Sequence, residues 1–310
     1  MTSFHGAGIA AFRREPVTVE VPATSANLGP GFDCLGLAVD LHDTLTGQVV
    51  ESGLVVELEG QGSGTLPRDE RHLVVRSMRR MFATLGVTPP GLVLRAVNRI
   101  PQSRGLGSSS AAIVAGVNVA RGLVGGGSLL VDDDTLFALA AELEGHPDNV
   151  APAMYGGFTV AWREGDRFRA TTLAVDPRVQ VVVLVPPDGV ETSVARGLLP
   201  ATVSHADAAA NAGRAALLVA ALGRQPELLL AATEDRLHQD HRETAMPQTL
   251  ALLRALRADG LPAVVSGAGP TVLVFTDTHD QPAVVDRAPA GWRALALPVD
   301  RDGARVALPE

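Results

Sequence analysis

Two glycines and three serines in one short run carry the most recognisable chemistry in the chain. They lie in Pro101, Gln102, Ser103, Arg104, Gly105, Leu106, Gly107, Ser108, Ser109, Ser110 and Ala111. An alternating apolar segment, Gly91–Asn98, enters the run, and an Ala- and Val-rich segment leaves it. Glycine lets a backbone approach an anion with no side chain in the way. The first N–H groups of a helix have no internal partner, and the macrodipole adds roughly half a positive charge there. A glycine turn leading into a helix is therefore expected to hold phosphate, with the serine hydroxyls as extra donors or as neighbours of a metal ion. The run lacks the lysine of the GxxxxGK[ST] loop and is not GxGxxG. A capped helix behind a glycine turn is the plain alternative for the glycines alone; the three serines favour phosphate.

Four other places have side chains suited to a small polar ligand. The first is Pro22-Ala-Thr-Ser-Ala-Asn-Leu-Gly-Pro-Gly-Phe-Asp-Cys-Leu-Gly36, with Asn27 and Asp33. The second is Glu144-Gly-His-Pro-Asp-Asn149, and the last two centre on Arg196 and Arg242. Each has a bland reading. Asn27 and Asp33 are common turn residues, Asn149 suits a cap after Pro147, and Arg242 on a helix would be a solvated charge. His146, His238 and His241 fit no zinc spacing, and Cys34 is the single cysteine. Beside Asp33 it is either a reactive thiol or, the favoured reading, a small packing residue.

The elements that must position these groups can be read from period and punctuation. Strands are expected at Val17–Val21, Gly36–Asp40, Leu45–Glu59, Gly91–Asn98, Phe158–Trp162, Val179–Val185, Ala263–Ser266 and Thr271–Thr276. Helices are expected over 69–85, 109–123, 134–144, 206–222, 226–237 and 247–258, with Asp69 an N-cap, Gly86 a stop and 125–128 a flexible turn. Residues 1–14 read as a loose arm. The texture changes near Gly165, which places two domains at 1–165 and 166–310. Strands and helices do not alternate regularly, so the class is α+β.

Composition excludes several functions. The chain has 310 residues, 46% hydrophobic and 19% charged, which is enough for a sizeable core. Its net charge is −8, and there is no basic run and no lysine. Nucleic acid and anionic membrane are poor partners for such a chain. No apolar run reaches the roughly 20 residues of a membrane span, and no secretory signal is evident. One cysteine permits no internal disulfide and fits a cytoplasmic location.

The loop 101–111 resembles the ATP loop of the GHMP kinases (galacto-, homoserine, mevalonate and phosphomevalonate kinases). The 22–36 block resembles that family's first motif, and Val264-Val-Ser-Gly-Ala-Gly-Pro-Thr-Val-Leu-Val-Phe275 its third. Residues 144–158, 192–200 and 235–242 are similar to blocks of the branch that phosphorylates homoserine. The resemblance implies an N-terminal domain like domain 2 of ribosomal protein S5 and a ferredoxin-like C-terminal domain, with ATP between them. It implies ATP and Mg²⁺ as cofactors, L-homoserine as substrate in threonine biosynthesis, and a homodimer. Asn27, Asp33, Asn149, Arg196 and Arg242 match substrate positions: the arginines for the carboxylate, Asp33 for the ammonium, Asn149 for the hydroxyl. Ser108 and Glu144 match metal positions, with Glu142 the alternative acid. Asp148 aligns with an aspartate proposed as general base in relatives; unassisted attack is the other reading. Gln239-Asp240-His241 departs from the Glu-Pro-aromatic that precedes the arginine in many members. The alternatives are a mevalonate-type kinase, disfavoured by the acidic Asp33, and a non-catalytic metabolite sensor, which would have no need of the metal acid or the loop serines.

Overall fold

The computed structural model describes residues 12–307. In chain order the elements are β1 (Val17–Ala26), β2 (Leu35–Val50), β3 (Gly53–Gly60), α1 (Leu73–Thr84), β4 (Gly91–Asn98), α2 (Ser108–Leu123), α3 (Gly127–Leu130), α4 (Asp133–Glu144) and α5 (Val150–Tyr155). There follow β5 (Phe158–Glu164), β6 (Arg167–Leu173), β7 (Gln180–Val185), α6 (Thr192–Gly197), α7 (His205–Arg224), α8 (Leu229–Ala232) and α9 (Pro247–Ala258). The chain finishes with β8 (Ala263–Val265), β9 (Val272–Thr276), α10 (Gln281–Val285), β10 (Arg293–Leu297) and β11 (Arg305–Ala307).

Two sheets organise the molecule. The first runs β11-β1-β2-β4-β3, with β5 paired to the start of β2 and β6 to β5. Only β3 and β4 are parallel, because α1 carries the chain back across the sheet between them. The second is antiparallel with order β10-β7-β9-β8. In strand number that is 4-1-3-2, the ferredoxin-like order expected of the C-terminal part. The class is α+β, with α2 buried in the first layer. Ile113, Val114, Ala115, Val117, Val119 and Ala120 of α2 are all buried. A helix apolar on every face belongs inside a protein, so its N-terminus is held rigidly.

Several boundaries differ from expectation for local reasons. β2 is one strand of 16 residues rather than two: His42, Asp43 and Thr44 pair with Pro22, Val21 and Glu20, and a bulge at Asp40–Leu41, opposite the Pro22–Ala23 step of β1, lets the strand run on. The chain then turns at Gly53, whose φ is 82°, into a separate β3. α1 starts at Leu73, not at Asp69; the Asp69 carboxylate instead accepts from the Arg71 N–H, making a local turn before the helix. The helix expected over 226–237 stops at Ala232. Beyond it the Asp235 carboxylate accepts from the N–H groups of Leu237, His238 and Gln239 and folds that stretch into a loop. The 125–128 turn includes the first residues of α3. Of the arm at 1–14, Phe12 bridges Val124 and meets Phe82 edge-on; residues 1–11 lie outside the described residues. Gly165 sits in the turn of the β5–β6 hairpin, so the first sheet continues past it to Leu173, and the passage to the second sheet lies between Leu173 and Gln180.

Candidate active site

The loop 101–111 lies against both sheets. Gly107 is the N-cap of α2 with φ 67°, and a Cβ there would fall 1.9 Å from Thr24 Oγ1. Gly105, at φ 73°, has no room either: its Cβ would lie 2.1 Å from the Ser266 carbonyl. Both glycines are thus required by close approach as well as by backbone angle. The loop bonds to its neighbours through Leu106 O, which accepts from Thr24 N at 3.1 Å, and through Gly105 O, which accepts from Ser266 Oγ at 2.6 Å. Arg104 turns aside and donates to the carbonyls of Gln102 and Pro187.

The first and third motifs meet at the same place. Ser25 Oγ and Ser266 Oγ are 2.8 Å apart. Ser266 has one proton and Gly105 O can only accept, so Ser25 donates to Ser266 and Ser266 to Gly105. Gly267 O accepts from both Asn27 Nδ2 and Arg242 Nη1 at 2.9 Å. Asn27, Leu28 and Gly29 have φ of 67°, 50° and 85°, and Asp33 56°. Such a run of positive φ costs on the order of 1–3 kcal/mol per non-glycine residue and persists only where the surroundings over-determine it. Here Asn27 Oδ1 accepts from Asp33 N, Asn211 donates to Pro30 O, and the His238 ring meets Gly29 O at 2.8 Å.

A cavity of about 300 Å³ opens between these pieces. The loop from Pro101 to Ser109 lines it, with Asn27, Glu144, Asp148, Asn149, Arg196 and Arg242. Ser110 and Ala111 are buried behind the loop. Asp33 does not line the cavity; it reaches it through Arg196, whose guanidinium it holds in a two-bond pair of 2.6 and 3.1 Å. Arg242 is no solvated charge. It is 1% exposed, the largest of the fully buried side chains, and its Nε has no partner. Burial, then the nearby Arg196 charge, pushes its pKa down to about 10, so it remains a cation at neutral pH. Gln239, which stands where the pattern has Glu, is buried and its side-chain oxygen accepts from Val265 N.

Glu144 ends α4, and Gly145 at φ 90° breaks the helix directly after it. One carboxylate oxygen of Glu144 accepts from Ser109 Oγ at 2.5 Å and Ser110 Oγ at 2.8 Å. Its hydroxyl partners on the loop are thus Ser109 and Ser110 rather than Ser108, while Ser108 and Ser109 both line the cavity. Glu142 is exposed on another face. A carboxylate with serine hydroxyls is a hard-oxygen donor set that suits Mg²⁺ when phosphates complete the shell. Among the described residues, the compact group of potential metal ligands lies elsewhere, at Asp40, His42 and Asp300, where Arg305 pairs with Asp300. His72 also lines the cavity, buried, with both ring nitrogens unpartnered.

Asp148 is buried, and one oxygen accepts from the Asn149 N–H and meets His146 Nδ1, both at 3.0 Å. Burial alone would lower the His146 pKa, but the hydrogen bond to Asp148 and the charges of Asp148 and Glu144 raise it overall. Asn149 Oδ1 accepts from Thr24 Oγ1 at 2.8 Å, which directs its amide N–H₂ away from that contact. Cys34 is a packing residue with its thiol pushed up to about 11 by burial and by the Asp148 and Asp33 charges. Nothing in the type or spacing of Thr24, Ser25, Ser266 or His146 marks them as parts of the site. Their sole sequence signal is their place inside the motif blocks.

The N-terminal domain of the GHMP kinases matches residues 72–157 and the C-terminal domain matches 209–294. Fold and loop thus define the class, the GHMP kinases. Homoserine kinase from Streptomyces avermitilis is 56% identical over 96% of this chain and 97% of its own, and that from Streptomyces coelicolor 55% over 96% of each. The crystal structure of homoserine kinase from Cytophaga hutchinsonii superposes with a TM-score of 0.82 at 27% identity, covering 97% of this chain and all of that one. Mevalonate diphosphate decarboxylase from Staphylococcus aureus, 13% identical with a TM-score of 0.64, shares the fold. The chain belongs to the homoserine kinase family.

Proposed function

We propose that the protein transfers the γ-phosphoryl group of ATP to the side-chain hydroxyl of L-homoserine, giving O-phospho-L-homoserine for threonine biosynthesis. One observation carries this reading: the phosphate loop and two arginines face the same cavity, with Asn149 also on its wall. The N–H groups at the head of α2 and the Gly105–Gly107 backbone receive the phosphates. Arg242 and Arg196 take the substrate carboxylate and Asp33 its ammonium. The Asn149 amide then orients the hydroxyl, since its oxygen is already bound by Thr24. Mg²⁺ held by Glu144 and the loop serines would neutralise phosphate oxygens. Such transfers proceed through a loose transition state, so positioning carries most of the rate.

Asp148 belongs to that positioning. Its carboxylate is engaged by His146 and the Asn149 backbone. Asp148→Asn is expected to lose only a few-fold in kcat; a loss of about 10³ or more, within or above the range of acid–base catalysis, would make it the base.

The test of the function is ADP release by the purified protein with Mg·ATP and a panel of L-homoserine, mevalonate and galactose. Preference for L-homoserine is expected, and no ADP with any alcohol would point to a sensor. The same reading includes a cytoplasmic enzyme, in keeping with its lone cysteine, and a homodimer, the commonest closed assembly, which light scattering would check. Among the described residues, no helix is long and apolar enough to cross a membrane.

A further inference from the structure

The two side chains assigned to opposite ends of the substrate are bonded to each other. Arg196 Nη2 lies 2.6 Å from Asp33 Oδ1, and Arg196 Nη1 lies 3.1 Å from Asp33 Oδ2. Arg196 faces the cavity and Asp33 stands behind it. The pair is braced rather than loose. Asp33 is held in a left-handed backbone conformation by Asn27, and the Arg196 guanidinium sits 5.7 Å from the centre of the Phe32 ring. Phe32 in turn packs on buried His238, with centroids 5.2 Å apart. Arg242 has no carboxylate within salt-bridge distance among the described residues, so the wall already presents one uncompensated cation.

We propose that the Asp33–Arg196 pair is a specificity gate, one that yields only to a ligand bringing a carboxylate and an ammonium together. A zwitterion replaces each half of the pair: its carboxylate takes over Arg196 beside Arg242, and its ammonium takes over Asp33. The exchange leaves every charge matched. A ligand with a carboxylate alone can engage Arg196 only by stripping Asp33 of its two-bond partner. A ligand with an ammonium alone strips Arg196 in the same way. A singly charged alcohol that engages the pair is thus penalised twice, once for the contact it lacks and once for the charge it strands. This rests on the homoserine reading above and adds a sign that the roles alone do not predict. Removing one partner should improve turnover of the substrate that lacks the matching group.

The test compares L-homoserine with its deaminated analogue, 4-hydroxybutanoate, in the wild type and in Asp33→Asn. Asparagine keeps the shape and tolerates positive φ. Asp33→Asn is expected to lower kcat/KM for L-homoserine and to raise it for 4-hydroxybutanoate above the wild type by about fivefold, the scale of a partly exposed ion pair. A value for 4-hydroxybutanoate equal to or below the wild type overturns the gate. Should that variant fail to bind ATP, Arg196→Met read with the decarboxylated analogue, 3-aminopropan-1-ol, decides by the same sign: a rise supports the gate and no rise overturns it. Failure of the wild type to phosphorylate L-homoserine would sink the functional reading instead, so the two failures are told apart.

Discussion

At the scale of single residues, the carboxylates and the Asn149 amide oxygen of the site already have partners, whereas Arg242 Nε and the His72 ring nitrogens have none. Asp148 is held by His146 and Asn149 N–H, Asn149 Oδ1 by Thr24, Glu144 by two serines, and Asp33 by Arg196. A positioned group of this kind loses little on reorganisation when a substrate arrives, which is where electrostatic preorganisation comes from. The His146–Asp148 contact also gives a signature in stability. The His146 pKa is raised above 6.5, so its protonated form is favoured by folding. The stabilisation is then complete below pH 6.5 and is lost as the pH rises through the raised value. His146→Gln should cost about 1 kcal/mol on the acid side of that window and progressively less above it. Denaturant midpoints of both proteins across the window check this; a difference independent of pH would show that the contact carries no proton linkage. The residues themselves were legible to different degrees. Glu144, Asn149 and Arg196 stand on the cavity wall; their places in the motif blocks, and not their types alone, singled them out. The burial of Arg242 was not legible, because a charged residue in a polar run reads as surface, and only the fold places Gly267 O against it.

At the scale of elements, α2 and the loops around it decide what the site can bind. Its apolar faces lock it in the core, and its N-terminus ends at two glycines with no space for a side chain. Two glycines separate backbone angle from close approach. Gly145 has φ 90° and open space, with nothing within 4 Å of where a Cβ would lie, and Gly107 has φ 67° with Thr24 Oγ1 at 1.9 Å. Gly145→Ala is expected to cost about 1–2 kcal/mol, the price of the left-handed backbone, and to leave the ATP KM unchanged. Gly107→Ala should cost more and raise the ATP KM by at least tenfold, since the loop must move off Thr24 to fit the methyl. Thermal melts and ATP titrations of both variants separate the two effects; equal outcomes would deny the loop its tight seat. Elements with a strong period were legible: β4 and α9 fall where their patterns put them. The long β2 and the early end of α8 were not. A bulge within the strand and a carboxylate that caps three N–H groups are tertiary or local bonding choices that leave no period in the sequence.

At the scale of the whole molecule, the two sheets share one apolar core, to which Val183, Leu273 and Phe275 of the second sheet contribute, and the three motifs touch at a small polar cluster in that junction. Ser25 comes from β1, Gly105 from the loop 101–111, and Ser266 from the turn between β8 and β9. That meeting is a product of topology: residues 241 and 161 positions apart converge, which no local pattern announces. Ser266→Ala removes the donor to Gly105 O and the acceptor for Ser25 in a buried setting, which should cost about 1–3 kcal/mol. Because the lost bonds link the loop to the C-terminal sheet, the ATP KM should rise while the L-homoserine KM changes little. Thr271, at the start of the same strand pair, supplies the control. Its Oγ1 is buried with no partner, so its desolvation is uncompensated. Thr271→Val keeps the shape and removes the orphan oxygen, and is expected to be neutral or to raise the melting temperature by a few degrees. Two hydroxyls near one turn should thus respond with opposite signs. If both substitutions destabilised equally, their effects would come from packing around the turn, and the serine contact would not be what couples the nucleotide loop to the second sheet.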